Sequence, residues 1–144
     1  KNVKVIDVLN NYVIISDDIT YFKNDENIIS NGKTNSSINS RYELQSEDIS
    51  YSFKTKIVSS KNKTSLKDKQ TKTAYEITNF SLSLTEEILK GENIIINTNY
   101  NLPYNDRYFI KSGIFDLKNQ TFFTQNIDIN LKKTLLTMRK MTHE

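Results

Sequence analysis

The feature that most constrains the fold is a ten-residue pattern that occurs four times along the chain. Each copy begins with tyrosine and reads Tyr-x-aliphatic-x-Ser/Asn-x-x-apolar-x-Tyr/Leu, without gaps. The copies are Tyr12–Tyr21, Tyr42–Tyr51, Tyr75–Leu84 and Tyr108–Leu117, and they start 30, 33 and 33 residues apart. A period of this length is typical of chains in which each repeat is one supersecondary unit packed on its neighbours. The sequence therefore predicts about four stacked units.

The spacing inside the pattern predicts two short strands joined at a corner. Tyr12 and Ile14 are two residues apart and share one face of a strand, as do Ile19 and Tyr21. The interval between Ile14 and Ile19 is odd, so a bend at residues 16–18 is needed to bring both pairs to one face. Serine, aspartate and asparagine suit this bend because their side chains bond to nearby backbone.

A polar turn and a further apolar strand follow every copy. The turns are predicted at residues 23–26, 54–56, 85–87 and 118–120. A competing interpretation exists at the third turn, where Ser83 and Glu86 form a capping-box pattern and Gly91 could close a short helix. The other three copies lack this signal, so the repeat favours a turn between strands.

Two stretches depart from the repeat. Residues 59–73 are polar and rich in lysine, which predicts an exposed loop or a ragged edge strand. Residues 101–106 are predicted to be a loop, because Pro103 cannot donate to a strand ladder.

Composition supports a β fold with a thin core. Hydrophobic residues make up 36% of the chain and charged residues 26%, which is poor in apolar residues for a compact globule. The apolar residues are mainly Ile, Tyr, Phe and Leu, which favour strands, and Ala74 is the only alanine. The sequence contains no run of about 18 apolar residues, which is the length that a membrane-spanning helix needs. No signal peptide is visible, and the start at Lys1 indicates a processed or truncated end.

Several functional classes are not expected. The net charge of +3 is mild and acids are interspersed with bases, so we expect no nucleic-acid partner. The absence of cysteine excludes disulfides and thiolate metal sites. No nucleophile elbow, phosphate loop or zinc motif is present, so we expect neither an enzyme nor a cofactor or metal. The acidic pairs at 17–18 and 47–48 are interpreted as turn residues, and His143 has no assigned role.

The residues at the amino end resemble one unit of the OstA-like family of lipopolysaccharide transport proteins. The resemblance lies in the strands at residues 2–6 and 19–22, the turn at residues 24–26 and Gly32. Residues 88–130 are most similar to the amino-terminal periplasmic domain of the family's outer-membrane assembly protein. A free-standing periplasmic bridge protein of the same family is the alternative. The resemblance covers about residues 2–133.

The resemblance implies an all-β fold, an OstA-like β-jellyroll (β-taco) of antiparallel strands in two facing sheets built from about four repeats. It implies a periplasmic, outer-membrane-associated conduit in which acyl chains of lipopolysaccharide lie between the sheets. The implied partners are lipopolysaccharide, other OstA-like domains that add at edge strands, and an outer-membrane β-barrel assembly. Transport energy would come from a transporter elsewhere, so the domain would be passive. The alternative function is a structural or adhesive β-repeat protein with a filled core.

The apolar stripe repeated in each unit predicts a continuous slot lined by inward side chains. The candidate lipid-groove residues are Tyr12, Ile14, Ile19, Tyr21, Ile28, Leu44, Ile49, Tyr51, Ile77, Leu82, Leu84, Ile110, Phe115 and Leu117. The repeated tyrosines, Tyr12, Tyr42, Tyr75 and Tyr108, could place their hydroxyls at the rim. Lys33, Lys90 and Arg107 could meet lipid phosphates, but solvated surface charges are the favoured interpretation.

The end of the chain departs from the strand pattern, so we divide it into a repeat domain at 2–133 and a tail at 134–144. The tail could pass for a short basic amphipathic helix. We expect instead that it is out of frame and disordered or loosely packed. One permitted set of codons from Thr134, read two bases later, spells a segment ending Asn-Asp-Pro-Arg. A segment of this kind resembles the residues between the repeat and the barrel in the family's outer-membrane assembly protein.

Overall fold

All regular structure in the described part of the chain is antiparallel β. The structure is a computed structural model and describes residues 2–124 and 127–131. Within these residues there is no helix, and so none long and apolar enough to cross a membrane. The strands are β1 (Val3–Asp7), β2 (Tyr12–Phe22), β3 (Asn27–Ile38), β4 (Tyr42–Glu47), β5 (Ser50–Ser52), β6 (Ile57–Ser60), β7 (Thr64–Asp68), β8 (Thr73–Ser83), β9 (Ile88–Asn97), β10 (Asp106–Asp116), β11 (Thr121–Thr124) and β12 (Ile127–Leu131). The predicted all-β class is confirmed.

The long strands bend, as the second strand shows. The first half of β2 pairs with the last residues of β3, and its second half pairs with the first residues of β3. The register shifts between Ser16 and Asp18, so the corner predicted there is confirmed. At the equivalent positions Asp48 separates β4 from β5, and Asn79 lies at a register shift in β8, both with left-handed backbone. The strands therefore leave one layer at these corners and enter another.

The bends fold the sheet into two layers. In pairing order the first layer contains β1, β2, β3, β4, β7, β8, β9, β10 and β12. The second layer contains β2, β3, β5, β6, β8, β9, β10 and β11. The five long strands contribute one half to each layer. In the middle, β3, β4, β7, β8, β6 and β5 close a hydrogen-bonded ring of six strands, so this part is barrel-like.

Two rows of turns lie at the end of the layers opposite the corners. The first-layer row comprises residues 8–11, 39–41, 69–72 and 98–105, and the second-layer row comprises residues 23–26, 53–56, 84–87 and 117–120. Neighbouring turns within a row are tied by backbone hydrogen bonds, such as Lys69 N to Arg41 O at 3.0 Å and Leu117 N to Glu87 O at 2.9 Å. We call the space between the two rows the mouth.

Apolar side chains fill most of the space between the layers, and hydroxyls line the corners. The rings of Tyr12 in the first layer and Tyr51 in the second lie 4.7 Å apart. At the corners, Ser46 and Thr64 share a hydrogen bond of 2.7 Å. Small hydroxyl residues suit this position because they occupy little volume and can bond to one another or to interrupted backbone.

The prediction of an exposed loop or a ragged edge strand at residues 59–73 is wrong. Residues Thr64–Asp68 form β7, an interior strand of the first layer between β4 and β8. Leu66 is fully buried and is its only aliphatic residue, and the inward neighbours Thr64 and Asp68 are buried through hydrogen bonds. Polar inward residues weaken the apolar alternation that sequence interpretation relies on.

The alternative of a short helix at Ser83 is also wrong. The Glu86 amide does donate to Ser83 Oγ at 3.2 Å, as in a capping box, but the strand β9 begins at Ile88. Gly91 lies inside β9 and ends no element. A Cβ atom at Gly91 would overlap Ile77 Cγ2, so glycine is required there for close packing at the corner.

Candidate functional site

A cavity of about 200 Å³ lies between the two layers on the carboxy-terminal side of the six-strand ring. It opens at the mouth. Phe115 stacks on Phe122 with ring centroids 5.5 Å apart, and Tyr75 meets Phe115 edge-on at 5.9 Å. The apolar walls are formed by Tyr75, Ile96, Tyr108, Ile110, Phe115, Leu117 and Phe122. Because these side chains offer mainly carbon, the interior of the cavity suits an apolar group.

An ion pair, Arg41 with Asp68, stands where the cavity meets the mouth. Arg41 Nε donates to Asp68 Oδ1 at 2.9 Å and Nη2 donates to Oδ2 at 2.8 Å. The backbone amides of Gln70 and Thr71 also donate to Asp68 Oδ1. Burial acts to raise the pKa of Asp68, but the hydrogen bonds from Arg41, Thr71 and the two amides outweigh it and lower the pKa. The pair is therefore a closed, internally neutralised unit.

Uncharged polar groups complete the rim. Thr73, Gln120 and Thr121 border the cavity, and their side chains have no hydrogen-bond partner among the described residues. Thr121 is opposite Asp116 in the strand pair, so its side chain lies on the outward face. Burial, with the charge of Asp68 adding to it, raises the pKa of Tyr75 to about 12, so its hydroxyl is protonated at neutral pH. Burial raises the pKa of Tyr108 in the same way. These uncharged groups can therefore donate and accept hydrogen bonds at the rim, beside the ion pair.

One further carboxylate, that of Asp116, belongs to a residue that borders the cavity, but on β10 this residue alternates with the inward Phe115 and Leu117 and its side chain lies on the outward face. Asp116 accepts hydrogen bonds from the backbone amides of Lys118 at 3.1 Å and Asn119 at 3.0 Å. These bonds, that of Asn119 first, hold the pKa of Asp116 below its ordinary value. Asp116 is therefore ionised at neutral pH.

The interior on the amino-terminal side of the cavity is closed. Leu44, Ile49 and Leu66 are fully buried inside the ring. Two hydrogen bonds cross the mouth, one from Tyr51 Oη to Asp7 at 2.6 Å and one from Tyr42 Oη to Glu87 at 3.2 Å. This part of the chain has a filled core rather than an open slot.

The predicted groove residues share one core but mostly not the cavity. Eleven of them are buried in a single cluster: Tyr12, Ile14, Ile28, Leu44, Ile49, Tyr51, Ile77, Leu82, Ile110, Phe115 and Leu117. Ile19 and Leu84 are half-buried and pack against that cluster. Of the predicted set, Ile110, Phe115 and Leu117 line the cavity.

Tyr21 does not lie in the interior. Its side chain is 56% exposed and meets the ring of Phe53 edge-on at 6.2 Å. Within the described residues, the second half of β2 is the edge of the second layer and pairs only with β3, so little covers this side chain.

The repeated tyrosines were predicted to place their hydroxyls at the rim, and the structure gives different positions to different members of the set. Tyr12 does not reach the rim, because it is 1% exposed and its hydroxyl bonds to Ser36 Oγ at 3.0 Å. Tyr42 reaches the mouth through Glu87. Tyr75 and Tyr108 line the cavity.

Sequence interpretation missed the ion pair as well as Ile96 and Phe122. The signal available for Asp68 was its place two residues after Leu66 in an alternating segment, which puts both side chains on one face. Nothing in the sequence paired Arg41 with a residue 27 positions away.

The other charged candidates lie on the surface. Lys33, Lys90 and Arg107 are exposed and none lines the cavity. Two of the corner acids bond to residues of β3: Asp18 accepts from Asn31 Nδ2 at 2.9 Å, and Asp48 accepts from the Gly32 amide at 2.8 Å. No group of three or more potential metal ligands occurs in the described ranges. The expectations for the tail at 134–144 fall outside the described residues.

Comparison with known proteins adds no assignment to this geometry: no protein-family model matches the chain, and no curated protein matches it.

Proposed function

We propose that this protein binds acyl chains between the layers of an OstA-like β-jellyroll and serves as a passive conduit in lipopolysaccharide transport to the outer membrane. The observation that carries the proposal is the apolar cavity of about 200 Å³ at the mouth. The resemblance of the repeat to the OstA-like family supplies the transport context. In this proposal the protein works in the periplasm at the outer membrane and performs no chemistry.

The size of the cavity limits what it can hold. An engineered apolar cavity of about 150 Å³ is large enough for benzene. The cavity here therefore accommodates a segment of one acyl chain rather than several whole chains. Each methylene moved from water into such a site contributes about 0.8 kcal/mol, so even a short segment binds measurably.

Four stacked units are part of the same proposal. The tyrosine-led segments all begin in the first layer, on β2, β4, β8 and β10. They do not begin at one level, because the strand register sets Tyr75 and Tyr108 two residues further into their strands than Tyr12 and Tyr42. Each chain segment then passes through a corner to the second layer. A longer array would place several such units in line, and acyl chains would move from unit to unit.

The proposed partners are further OstA-like domains and an outer-membrane β-barrel assembly. The edge strand β1 pairs only with β2 in the described part of the chain. A free edge of this kind permits strand addition by a second domain. Cross-links from the outward-facing Lys4 on β1 should then capture another OstA-like domain.

The test is site-specific photo-crosslinking to lipopolysaccharide. A photoreactive side chain at Tyr108, which is half-buried in the cavity wall, should capture the lipid. The same group at Lys67, on the exposed face of β7, is the control and should not. Equal capture at both positions, or none at Tyr108, would defeat the proposal.

A structural or adhesive β protein is the second candidate, and one observation favours it. The six-strand ring is filled, with Leu44, Ile49 and Leu66 fully buried. On this view the cavity is a packing defect. Ile96→Phe would then stabilise the fold by filling the cavity and change no binding property. If the cavity is a lipid site, the same substitution abolishes crosslinking from Tyr108.

A further inference from the structure

The turns of the first-layer row expose large apolar side chains to solvent. Leu9 is 95% exposed and Val8 is 80% exposed, and both lie in the turn between β1 and β2. At the other end of the row, Leu102 is 41% and Tyr104 is 45% exposed, in the loop between β9 and β10. Turns favour glycine, asparagine, aspartate and serine, so apolar side chains at these exposed positions need an explanation.

The second-layer row shows that this exposure is not a general property of the turns. Its apolar residues are Phe53, Leu84 and Leu117, and all three pack on or within the core between the layers. The other exposed large apolar side chains of the described residues lie on strands, where such residues are favoured by β propensity. Among the described turns, the feature therefore belongs to the first-layer row.

Backbone hydrogen bonds hold the four turns of the first-layer row side by side. The Asn39 amide donates to Asn11 O at 2.9 Å, and the Tyr100 amide donates to Lys72 O at 3.1 Å. A third such bond, described above, joins the two middle turns. The row crosses the ends of eight strands, β1 to β10 in first-layer order, and spans roughly 30 Å at the usual strand spacing. The two apolar turns are therefore fixed at opposite ends of one row.

The charges within the row are all positive. Its middle turns carry Arg41, Lys69 and Lys72, and the row contains no acidic residue. Arg41 is paired with Asp68, and Lys69 lies 3.6 Å from Glu43, whereas the exposed Lys72 has no ion-pair partner among the described residues. The second-layer row, by contrast, holds four lysines and four acidic residues and has no net charge. The first-layer row therefore presents apolar ends and a basic middle.

We propose that the first-layer row is a membrane-docking surface that rests on a lipid bilayer containing anionic phospholipid. Val8, Leu9 and Leu102 enter the boundary between headgroups and acyl chains, where burial of apolar area is favourable. Tyr104 suits the same depth, because its ring is apolar and its hydroxyl is polar. Lys72 lies between the two apolar turns, at the level of the lipid phosphates.

A bilayer fits this surface better than a folded protein partner does. Protein interfaces are built around a continuous, well-packed core, whereas here the apolar groups stand at two separate turns with bases between them. The inference goes beyond the proposed function and does not depend on it, since none of the docking residues lines the cavity. Docking of this kind would set the mouth beside the membrane surface.

Tryptophan reports the depth of insertion, because the chain contains none of its own. Leu9→Trp and Leu102→Trp each place one reporter in the row, and Lys61→Trp places the control at the exposed corner end, away from the mouth. The vesicles are phosphatidylcholine with about one-third phosphatidylglycerol, which supplies the negative surface potential. They should shift the emission of both row reporters to shorter wavelength, and brominated acyl chains should quench it. Lys61→Trp should show neither change.

Flotation with the same vesicles measures the contribution of single residues. Leu9→Thr should lower the partition coefficient about tenfold, as expected when one leucine side chain no longer leaves water. Lys72→Gln should lower it about fivefold, and only on vesicles that contain phosphatidylglycerol. Ile114→Thr replaces an exposed isoleucine on the outer face of the second layer, so it is the matched control and should leave binding unchanged.

Four results would overturn the proposal. The parent chain does not float with the vesicles, or Ile114→Thr weakens binding as much as Leu9→Thr does. Lys61→Trp is quenched as strongly as Leu9→Trp, which would mean that the protein binds in no defined orientation. The emission of Leu9→Trp shifts without vesicles as the protein concentration rises, in which case the row joins two copies of this chain. None of these results affects lipid crosslinking from Tyr108, so the proposed function is tested separately.

Discussion

Tyr51 on the second layer donates its hydroxyl hydrogen to a carboxylate oxygen of Asp7 on the first layer, with 2.6 Å between the two oxygens. The bond joins the edge strand β1 to the short strand β5, which are not neighbours in the sheet. Burial first, and then the bond to Asp7, raise the pKa of Tyr51, so the hydroxyl stays protonated and the bond persists across the neutral range. It holds the two layers together at the amino-terminal end of the mouth.

Removing that hydroxyl should destabilise the protein. Tyr51→Phe leaves the Asp7 carboxylate without its short bond, and hydrogen bonds to charged groups contribute about 1.5–3 kcal/mol. We expect a loss of that size in the free energy of unfolding measured with urea. Tyr21→Phe removes an exposed hydroxyl and should change stability by less than about 0.5 kcal/mol. Equal effects of the two substitutions would show that Tyr51 does not join the layers.

The ion pair between Arg41 and Asp68 should make stability depend on acid pH. The pKa of Asp68 is lowered in the folded protein from its ordinary value of 3.8. A group with a lowered folded pKa contributes stability that is complete above the unfolded value and is lost as pH falls through the folded value. We therefore expect the urea midpoint to fall on acidification below about pH 4.

Asp68→Asn tests the assignment of that pH dependence. The variant should lose about 3 kcal/mol at neutral pH, because it leaves Arg41 without its partner, and its midpoint should change less with acid. Asp25→Asn should behave like the parent chain. A parent-like acid profile for Asp68→Asn would assign the transition to other carboxylates, Asp7 first among them.

Because β7 is an interior strand, a substitution in this mostly polar segment should strongly reduce the stability of the protein. Leu66→Ala removes a fully buried side chain between β4 and β8 and should cost about 2–5 kcal/mol. Leu9→Ala is the matched control, because Leu9 is 95% exposed in a turn, and should cost less than about 0.5 kcal/mol. Small effects from both would place β7 at an exposed edge after all. Thermal unfolding monitored by circular dichroism provides the measurement.

Close packing at the third corner predicts a coupled pair of substitutions. Gly91→Ala places a methyl group against Ile77 Cγ2 and should destabilise by about 1–3 kcal/mol. In an Ile77→Ala background the overlap with Cγ2 is removed, and the remaining neighbours, Thr78 O at 3.4 Å and the Cβ of residue 77 at 3.6 Å, are at ordinary contact distances, so Gly91→Ala should there be nearly neutral. A double-mutant cycle in urea measures this coupling. Additive effects would mean that Gly91 is needed for its backbone and not for the space it leaves.

The local sequence pattern was sufficient to predict strands and turns wherever a segment had alternating apolar residues followed by a polar turn. The strand at residues 2–6, the corner at Ser16–Asp18 and the four turns after the repeated segments can all be inferred from residues close together in sequence. Local pattern misled at β7, where the inward neighbours of Leu66 are Thr64 and Asp68. Their burial depends on Ser46 and Arg41, which belong to other strands or turns and give no signal in the segment itself.

The sequence by itself determined the all-β class, the corners and the apolar stripe, because strand periodicity and turn chemistry act over a few residues. Only the tertiary structure decided which part of the stripe encloses space. Tyr12 and Tyr51 come from different layers and their rings meet, which fills the interior, whereas beyond β8 the side chains of Tyr75 and Tyr108 leave a cavity. That difference arises from how the volumes of side chains distant in sequence add up between the layers, and no local pattern contains that sum.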